Sequence, residues 1–196
     1  MKLSRDYLIE HVFELYLQYG YSGVSVSVIQ EKLGIGRASM YYYFKDMDDM
    51  FKAVVNRYFF DLTRKSLDLP DDITLKQMIE TRINVLSAMK QPLKDFENKN
   101  INMSNLASLI LVSISLFPEC METARELKEL SIIQWSKAIR NSVKTGEIRS
   151  DVDVDVMAML FSNIKDAHES FAHLMPKDSE TYSEQAYMCI YNLIKQ

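Results

Sequence analysis

The chain has 196 residues and a mass of 22.8 kDa, long enough for a well-buried core divided between one small and one larger domain. Hydrophobic residues make up 47%, charged residues 26%, and there are only 5 glycines and 4 prolines, which argues for an all-α protein. The net charge is −4, and residues 1–60 carry seven basic and seven acidic side chains. This balance excludes nucleic-acid binding through bulk positive charge, so any such contact must rest on locally placed cations.

The first predicted helix begins at Ser4 and stops at Gly20. Its apolar stripe, at helical spacing, consists of Leu8, Val12, Leu15 and Tyr19. A helix-turn-helix is predicted next, because two short helical patterns are separated only by a tight turn. Ser25 is the expected N-cap of the first of these helices. Gly34 ends it in a left-handed conformation, and Gly36 lets the chain enter the next helix.

The second short helix, from Arg37 to Tyr43, is predicted to show polar and aromatic side chains to solvent. Met40 and Phe44 lie four residues apart and can anchor it to a small core. Between Lys32 and Lys45 the sequence holds three cations and no acid. A phenol combines flat apolar area with a hydroxyl that can donate to a phosphate oxygen, so a DNA-reading surface is one interpretation. The alternative is that the three tyrosines are half-buried packing between helices.

Residues 5 to 55 resemble the N-terminal domain of TetR-family transcriptional regulators. The positions that carry the resemblance are Gly20-Tyr21, Ser25-Val26, Ile29, Leu33-Gly34-Ile35, Ser39 to Lys45 and Phe51. The resemblance implies an all-α fold of about nine helices, with a helix-turn-helix DNA-binding domain over 1–46 and a helical ligand-sensing and dimerisation domain over 47–196. It implies a ligand-responsive regulator, in most cases a repressor, that binds a near-palindromic operator as a homodimer without a cofactor.

The resemblance and the chemistry of the side chains together assign contacts to double-stranded DNA. Arg37 would pair with a guanine, and Ala38 or Tyr42 would meet a thymine methyl group. The expected phosphate contacts are Ser25, Ser39, Tyr41, Tyr43 and Lys45, with Ser27 as a further contact. Three positions depart from the family pattern: Gln30 replaces a small residue, Tyr43 a histidine and Met47 a lysine. The missing lysine removes one expected phosphate contact, for which Lys45 or Lys52 is the alternative.

Beyond the helix-turn-helix, a long fourth helix is predicted from an Asp46 cap to about Leu67. Pro70 to Asp72 marks the boundary before the later helices, and Gly146 ends the longest of them. In the family, the ligand pocket lies among the fourth to eighth helices. The candidates here are Phe59, Met78, Arg82, Met89, Phe96, Met103, Ile110, Met121 and Trp135. Such side chains at helical spacing are more often plain core, and for Arg82 a salt bridge is the alternative to an anionic ligand.

The last two helices are expected to form a four-helix interface with a second copy of the chain, as in the family. The candidate interface residues are Met159, Leu160, Ile164, Phe171, Tyr187, Ile190, Tyr191 and Leu193. These side chains would also suit an ordinary core within one chain. Two-fold pairing is expected because it places two recognition helices about 34–36 Å apart, at successive major grooves.

No catalytic or metal site is predicted. His168 and His173 superficially resemble a zinc-protease helix, but their i, i+5 spacing does not bring two imidazoles onto one face. Cys120 and Cys189 lie far apart without metal-like spacing, which fits a reduced, cytoplasmic compartment better than the alternative of a single disulfide. No signal peptide is expected, and the apolar run over 106–117 is too short to span a membrane.

Two rivals to a repressor remain open at this point. One is an activator with the same architecture, which the sequence does not distinguish from a repressor. The other is a TetR-like interaction protein that has lost sequence-specific DNA binding. The neutral charge of residues 1–60 and the departure at Met47 favour this second rival.

Overall fold

A computed structural model describes residues 3–94, 101, 103–171 and 182–196, without the side chains of 86–94, 103 and 165–171. This part of the chain forms nine helices, which confirms the all-α prediction. They are α1 Arg5–Gly23, α2 Val26–Leu33, α3 Arg37–Tyr43, α4 Met47–Val55 continued through Asn56–Phe60 and Asp61–Ser66, α5 Leu75–Lys94, α6 Met103–Leu116, α7 Pro118–Lys144, α8 Val154–Phe171 and α9 Tyr182–Ile194.

Helix α1 starts where the sequence predicts but extends further. The Ser4 hydroxyl accepts a hydrogen bond from the Tyr7 N–H at 3.1 Å, which caps the first turn. At Gly20 the backbone has φ 69°, so the helix kinks there and resumes for one more turn to Gly23. Glycine adopts this conformation without a Cβ clash, so Gly20 interrupts α1 rather than ending it.

The predicted boundaries of α2 and α3 are confirmed. The Ser25 hydroxyl accepts from the Val28 N–H at 3.3 Å, and Gly34 ends α2 with φ 65° in the left-handed region. Gly36, with φ −74°, is the N-cap of α3 and has ordinary extended backbone. The turn between the helices therefore requires a residue without a Cβ at Gly34 but not at Gly36.

We expect Gly34→Ala to lower the free energy of unfolding by about 1–2 kcal/mol, because a Cβ is strained at this left-handed position. Gly36→Ala is the matched control, since a Cβ there would lie 3.9 Å from the nearest atom, the Ser39 Oγ, with φ in the allowed region. Urea unfolding of the two variants would measure the difference. Equal stability of both would contradict the assigned role of Gly34.

Helix α4 begins at the predicted Asp46 cap and contains a π-helical segment, Asn56–Phe60, in its middle. The final α-helical part ends at Ser66, within one residue of the predicted end. A π-helical turn is wider than an α-turn and often marks a functional position in a helix. Sequence periodicity did not indicate it.

The chain forms two compact units. The first comprises Met1–Leu62 with Leu93–Thr123, and the second Thr63–Pro92 with Ala124–Gln196. In the first unit, α6 packs against α1 and α4, and the Asn105 amide donates to the Leu17 carbonyl oxygen at 3.1 Å. The division at residue 46 that the family resemblance implies stays a prediction about function.

The second unit is built around three stacked aromatic rings. The ring of Trp135 lies 5.0 Å from Phe161 and 5.6 Å from Tyr187, centroid to centroid. All three side chains are buried, and Met78 packs in the same core. Gly146, with φ 75°, follows the end of α7 as predicted.

Within the described residues, no single helix is both long and apolar enough to cross a membrane. Two consecutive helices, Ser104–Leu116 and Pro118–Lys144, are long and apolar enough when they are counted together, but the chain bends by 115° between them. The side chains of His168 and His173 lie outside the described residues.

Candidate nucleic-acid interface

One side of α3 packs against the core of the first unit. Met40 is 1% exposed and Phe44 2% exposed, so the predicted anchors are confirmed. Ile29 of α2 is fully buried as well. Residues that lie three or four positions apart in a helix are on the same face. The burial of Met40 and Phe44 therefore determines which side chains of α3 project outward.

The outward side of α3 carries Arg37, Ala38, Tyr41 and Tyr42, all of which are exposed. Tyr42 is 81% exposed, so the half-buried packing alternative fails for this residue. The Arg37 guanidinium carbon lies 5.4 Å from the centroid of the Tyr41 ring, one helical turn away. Stacking on the phenol restricts the guanidinium while leaving its N–H groups able to donate.

Tyr43 differs from its two neighbours. It is half-buried, and its hydroxyl donates to the Leu3 carbonyl oxygen at 3.0 Å. Its ring meets the Tyr42 ring edge-on at a centroid distance of 4.8 Å. Since the single phenolic hydrogen is engaged here, the predicted phosphate contact of Tyr43 would require this bond to break.

The remaining predicted phosphate contacts lie around α2 and α3. Ser25 and Ser27 are exposed near the start of α2, and Ser39 is half-buried on α3. Lys45 is exposed directly after α3, whereas Lys32 lies 3.4 Å from the Glu31 carboxylate. Ser25, Ser27 and the Lys45 ammonium are therefore placed where a duplex could meet them.

The start of α4 is acidic. The Asp46 carboxylate accepts from the Asp49 N–H at 2.8 Å, and the Asp49 carboxylate accepts from the Lys45 N–H at 3.0 Å. The Tyr21 hydroxyl donates to Asp48 at 2.7 Å, and this bond raises the pKa of the Tyr21 phenol. These carboxylates occupy the helix start that the family uses for a phosphate, and like charge disfavours a phosphate there.

Lys52, one of the two alternatives for the lysine that is missing at Met47, is paired with a carboxylate. Its ammonium donates to the Glu119 carboxylate at 2.6 Å and lies 5.3 Å from the Phe117 ring centroid. This hydrogen bond raises the pKa of Lys52 and lowers the pKa of Glu119. Of the two alternatives that the sequence offered, this pairing favours Lys45 as the candidate phosphate contact.

Comparison with known proteins agrees with this arrangement. Residues 8–54 match the sequence profile of "Bacterial regulatory proteins, tetR family". The chain is 30% identical over 144 residues to an HTH-type transcriptional repressor of Mycobacterium tuberculosis, an alignment that covers 74% of this chain and 48% of the repressor. Through this domain, the chain belongs to the tetR family. It spans about half the length of the curated relatives that it matches.

Two solved structures show that the likeness in fold extends along the whole chain. One is a protein from Saccharomonospora viridis in complex with choline, with a TM-score of 0.73, 17% identity and coverage of 98% of this chain and 97% of that one. The other is a SmeT–triclosan complex, with a TM-score of 0.67, 15% identity and coverage of 98% and 91%. At these identities the comparison establishes the fold alone.

A second candidate site of this TetR-family chain is an apolar crevice in the first unit, with about 180 Å³ of empty space that includes open solvent. Its lining is Phe13, Val54, Val55, Tyr58, Phe59, Leu106, Leu109 and Ile110. The rings of Phe13 and Tyr58 stack at a centroid distance of 3.7 Å. Only Phe59 and Ile110 of this lining were predicted as pocket residues. The wide apolar band of α4 was the available signal for Val54, Val55 and Tyr58.

The other predicted pocket residues do not join this crevice. Met78 and Trp135 belong to the second unit and are buried in it, as the plain-core alternative expects, and the Arg82 side chain is buried there as well. The Arg82 guanidinium donates to the Ser66 hydroxyl at 2.9 Å and lies 5.9 Å from the Trp135 ring centroid. Met121 is half-buried on α7. Phe96 and the side chains of Met89 and Met103 lie outside the described residues.

The predicted dimer residues divide into exposed and buried groups. Met159 and Leu160 of α8 are 55% and 46% exposed, and Leu193 of α9 is 69% exposed. Ile164 and Ile190 are half-buried, while the side chain of Phe171 lies outside the described residues. Tyr187 and Tyr191 are buried in the core of their own unit, so the face available to a partner omits them.

Proposed function

We propose that the chain is a ligand-responsive, DNA-binding transcriptional regulator that acts as a repressor and binds a near-palindromic operator as a homodimer. The observation that carries the proposal is the outward side of α3, where an 81% exposed Tyr42 lies beside an exposed Arg37 on a helix anchored by Met40 and Phe44. A large exposed aromatic side chain next to a cation is typical of a binding surface rather than of a solvated helix.

In this proposal, α3 enters the major groove. Arg37 donates two hydrogen bonds to a guanine, and Ala38 or Tyr42 contacts a thymine methyl group. Ser25, Ser27, Ser39, Tyr41 and Lys45 hold phosphates, which fixes the register without reading sequence. Because residues 1–60 carry no net charge, the salt dependence of binding should be modest for a regulator of this kind.

Homodimerisation would give the protein two recognition helices. The exposed apolar stripe of α8, formed by Val156, Met159 and Leu160, would pack against a second copy together with Leu193 of α9. These three α8 positions follow i, i+3, i+4 spacing and therefore share one face. A bound dimer would cover a promoter and exclude the transcription machinery.

Effector binding would act through α4. The side chains nearly close the apolar crevice, so a small apolar molecule would have to part α4 from α1 and α6 in order to enter. Movement of α4 would shift α3, because only Phe44, Lys45 and Asp46 separate the two helices. A coupling free energy of about 1–3 kcal/mol is typical of such linkage. The choline and triclosan complexes of the two solved structures show that proteins of this fold accept small molecules.

We expect Ile110→Phe, which fills the crevice, to retain operator binding but lose the effector response. A panel of small apolar aromatic and aliphatic compounds would first be screened for those that weaken operator binding by the wild type. An active compound should lower the affinity for the operator by about 5- to 150-fold, the range that corresponds to typical allosteric coupling free energies. Leu111→Phe is the matched control, since Leu111 is 52% exposed on the same helix and does not line the crevice. An Ile110→Phe protein that responds like the wild type would contradict the assignment of the crevice.

Selection of bound sequences from random duplexes at low salt tests the proposed function itself. A recovered near-palindrome is the expected result. Featureless recovery would instead support a TetR-like interaction protein, which the carboxylates at the start of α4 and the neutral charge of residues 1–60 favour. Reporter output in a deletion strain would then distinguish a repressor from an activator.

A further inference from the structure

The segment that precedes α1 lies against the end of α3. Two contacts join them although they are far apart in sequence. The Tyr43 hydroxyl donates to the carbonyl oxygen of Leu3, 40 positions earlier, at 3.0 Å. The Arg5 guanidinium carbon lies 5.0 Å from the centroid of the Phe44 ring. A backbone contact and a side-chain contact therefore hold the start of α1 at the base of the recognition helix.

The first turn of α1 depends on the same segment. Ser4, directly after Leu3, caps the helix by accepting from the Tyr7 N–H through its hydroxyl, and its carbonyl oxygen accepts from the Leu8 N–H at 3.1 Å. Arg5 is exposed while its guanidinium rests on an aromatic ring. A guanidinium restrained in this way loses less conformational entropy when it binds a phosphate.

We propose that Tyr43 is a positioning residue that fixes the start of α1 beside α3, so that Arg5 contacts a phosphate flanking the bases that α3 reads. This inference rests on the proposed DNA-binding function. It gives the tyrosine at this position, where the family has a histidine, a specific task, because a phenolic hydroxyl reaches farther from the backbone than an imidazole nitrogen does. Arg5 then compensates for the phosphate contact that is absent at Met47.

The first measurement needs no DNA. Tyr43→Phe removes one oxygen and keeps the ring, so the fold should persist while the Leu3 contact is lost. We expect amide hydrogen exchange at Tyr7 and Leu8 to become several-fold faster, because the cap of α1 opens more often. Tyr19→Phe is the matched control, since it deletes a hydroxyl from an exposed position of α1, the helix in which exchange is measured. Unchanged exchange in Tyr43→Phe would overturn the positioning role.

The second measurement uses the duplex recovered by selection and follows binding as a function of salt. In Tyr43→Phe and in Arg5→Gln alike, we expect the slope of log K against log salt to fall by about 0.9 per protomer. Affinity at 0.1 M salt should fall roughly five- to tenfold per protomer. The double variant should lose no more than Arg5→Gln alone, because Tyr43 acts through Arg5.

The outcomes separate the two levels of the proposal. Additive losses in the double variant would show that Tyr43 holds a phosphate by itself, which would overturn its positioning role. An unchanged salt slope in Arg5→Gln would overturn the Arg5 contact while leaving operator binding intact. If the wild type selects no duplex, the proposed function fails and this inference fails with it. Arg149→Gln, which removes an exposed cation from the second unit, is the control for a general loss of charge.

Discussion

An Arg37→Ala variant is expected to lose its preference for the selected operator while remaining a dimer. Arg37 is exposed on the outward side of α3, where its guanidinium stacks on Tyr41. A bidentate pair between arginine and guanine contributes about 1–3 kcal/mol of discrimination, which is about 5- to 150-fold for each half-site. Competition between the selected duplex and a scrambled duplex of the same length would measure the loss.

Arg37→Lys separates base reading from charge. Lysine keeps the cation but lacks the planar fork, so we expect the preference to fall almost as far as in Arg37→Ala while the salt dependence stays near that of the wild type. The control is Arg149→Gln, whose affinity and preference should be unchanged. If Arg37→Ala prefers the operator as strongly as the wild type does, another side chain reads the bases.

The second large effect is expected at the exposed face of α8. Leu160→Glu, and Met159→Glu independently, should convert the dimer to a monomer, because a carboxylate in an apolar interface loses hydration without gaining a partner. Since the two half-sites would then be bound separately, operator affinity should fall by at least roughly a hundredfold. Sedimentation velocity and operator titration of the same preparations would show both changes together.

Ile133→Glu is the matched control for these variants. Ile133 is 61% exposed on α7, outside the predicted dimer face, so the same substitution there should leave the dimer and its affinity unchanged. All three positions are exposed, which keeps the effect on folding small. A dimer that survives both α8 substitutions would place the interface elsewhere.

Sequence reasoning succeeded where the signals act within one turn of the chain. The Ser25 cap, the left-handed Gly34 and the Asp46 cap each satisfy or end a helix through atoms no more than four residues away. The spacing of Met40 and Phe44 likewise indicated which side of α3 faces the core. Exposure of Tyr42 followed from that spacing.

Contacts between distant parts of the chain were not predictable in the same way. Tyr187 reads as one more apolar residue on an amphipathic helix, and only its stacking near Trp135 and Phe161 shows that it is buried within its own unit. The bond between Tyr43 and Leu3 has no local signal at all. The π-helical turn of α4 was missed for another reason, since its apolar residues fit an α-helical band nearly as well.

The first unit is built from two separate stretches of the sequence, which limits how the protein can be divided into fragments. Helix α6 covers the inner faces of α1 and α4, with Leu106 and Leu109 both buried there. In the sequence it begins some forty residues after the end of α4 and some eighty after the end of α1. An excised fragment that ends at residue 62 would leave those apolar faces open to water. Autonomous folding of the amino-terminal third should therefore require residues 93–123 to be supplied as well, either grafted through a short linker or added as a separate peptide.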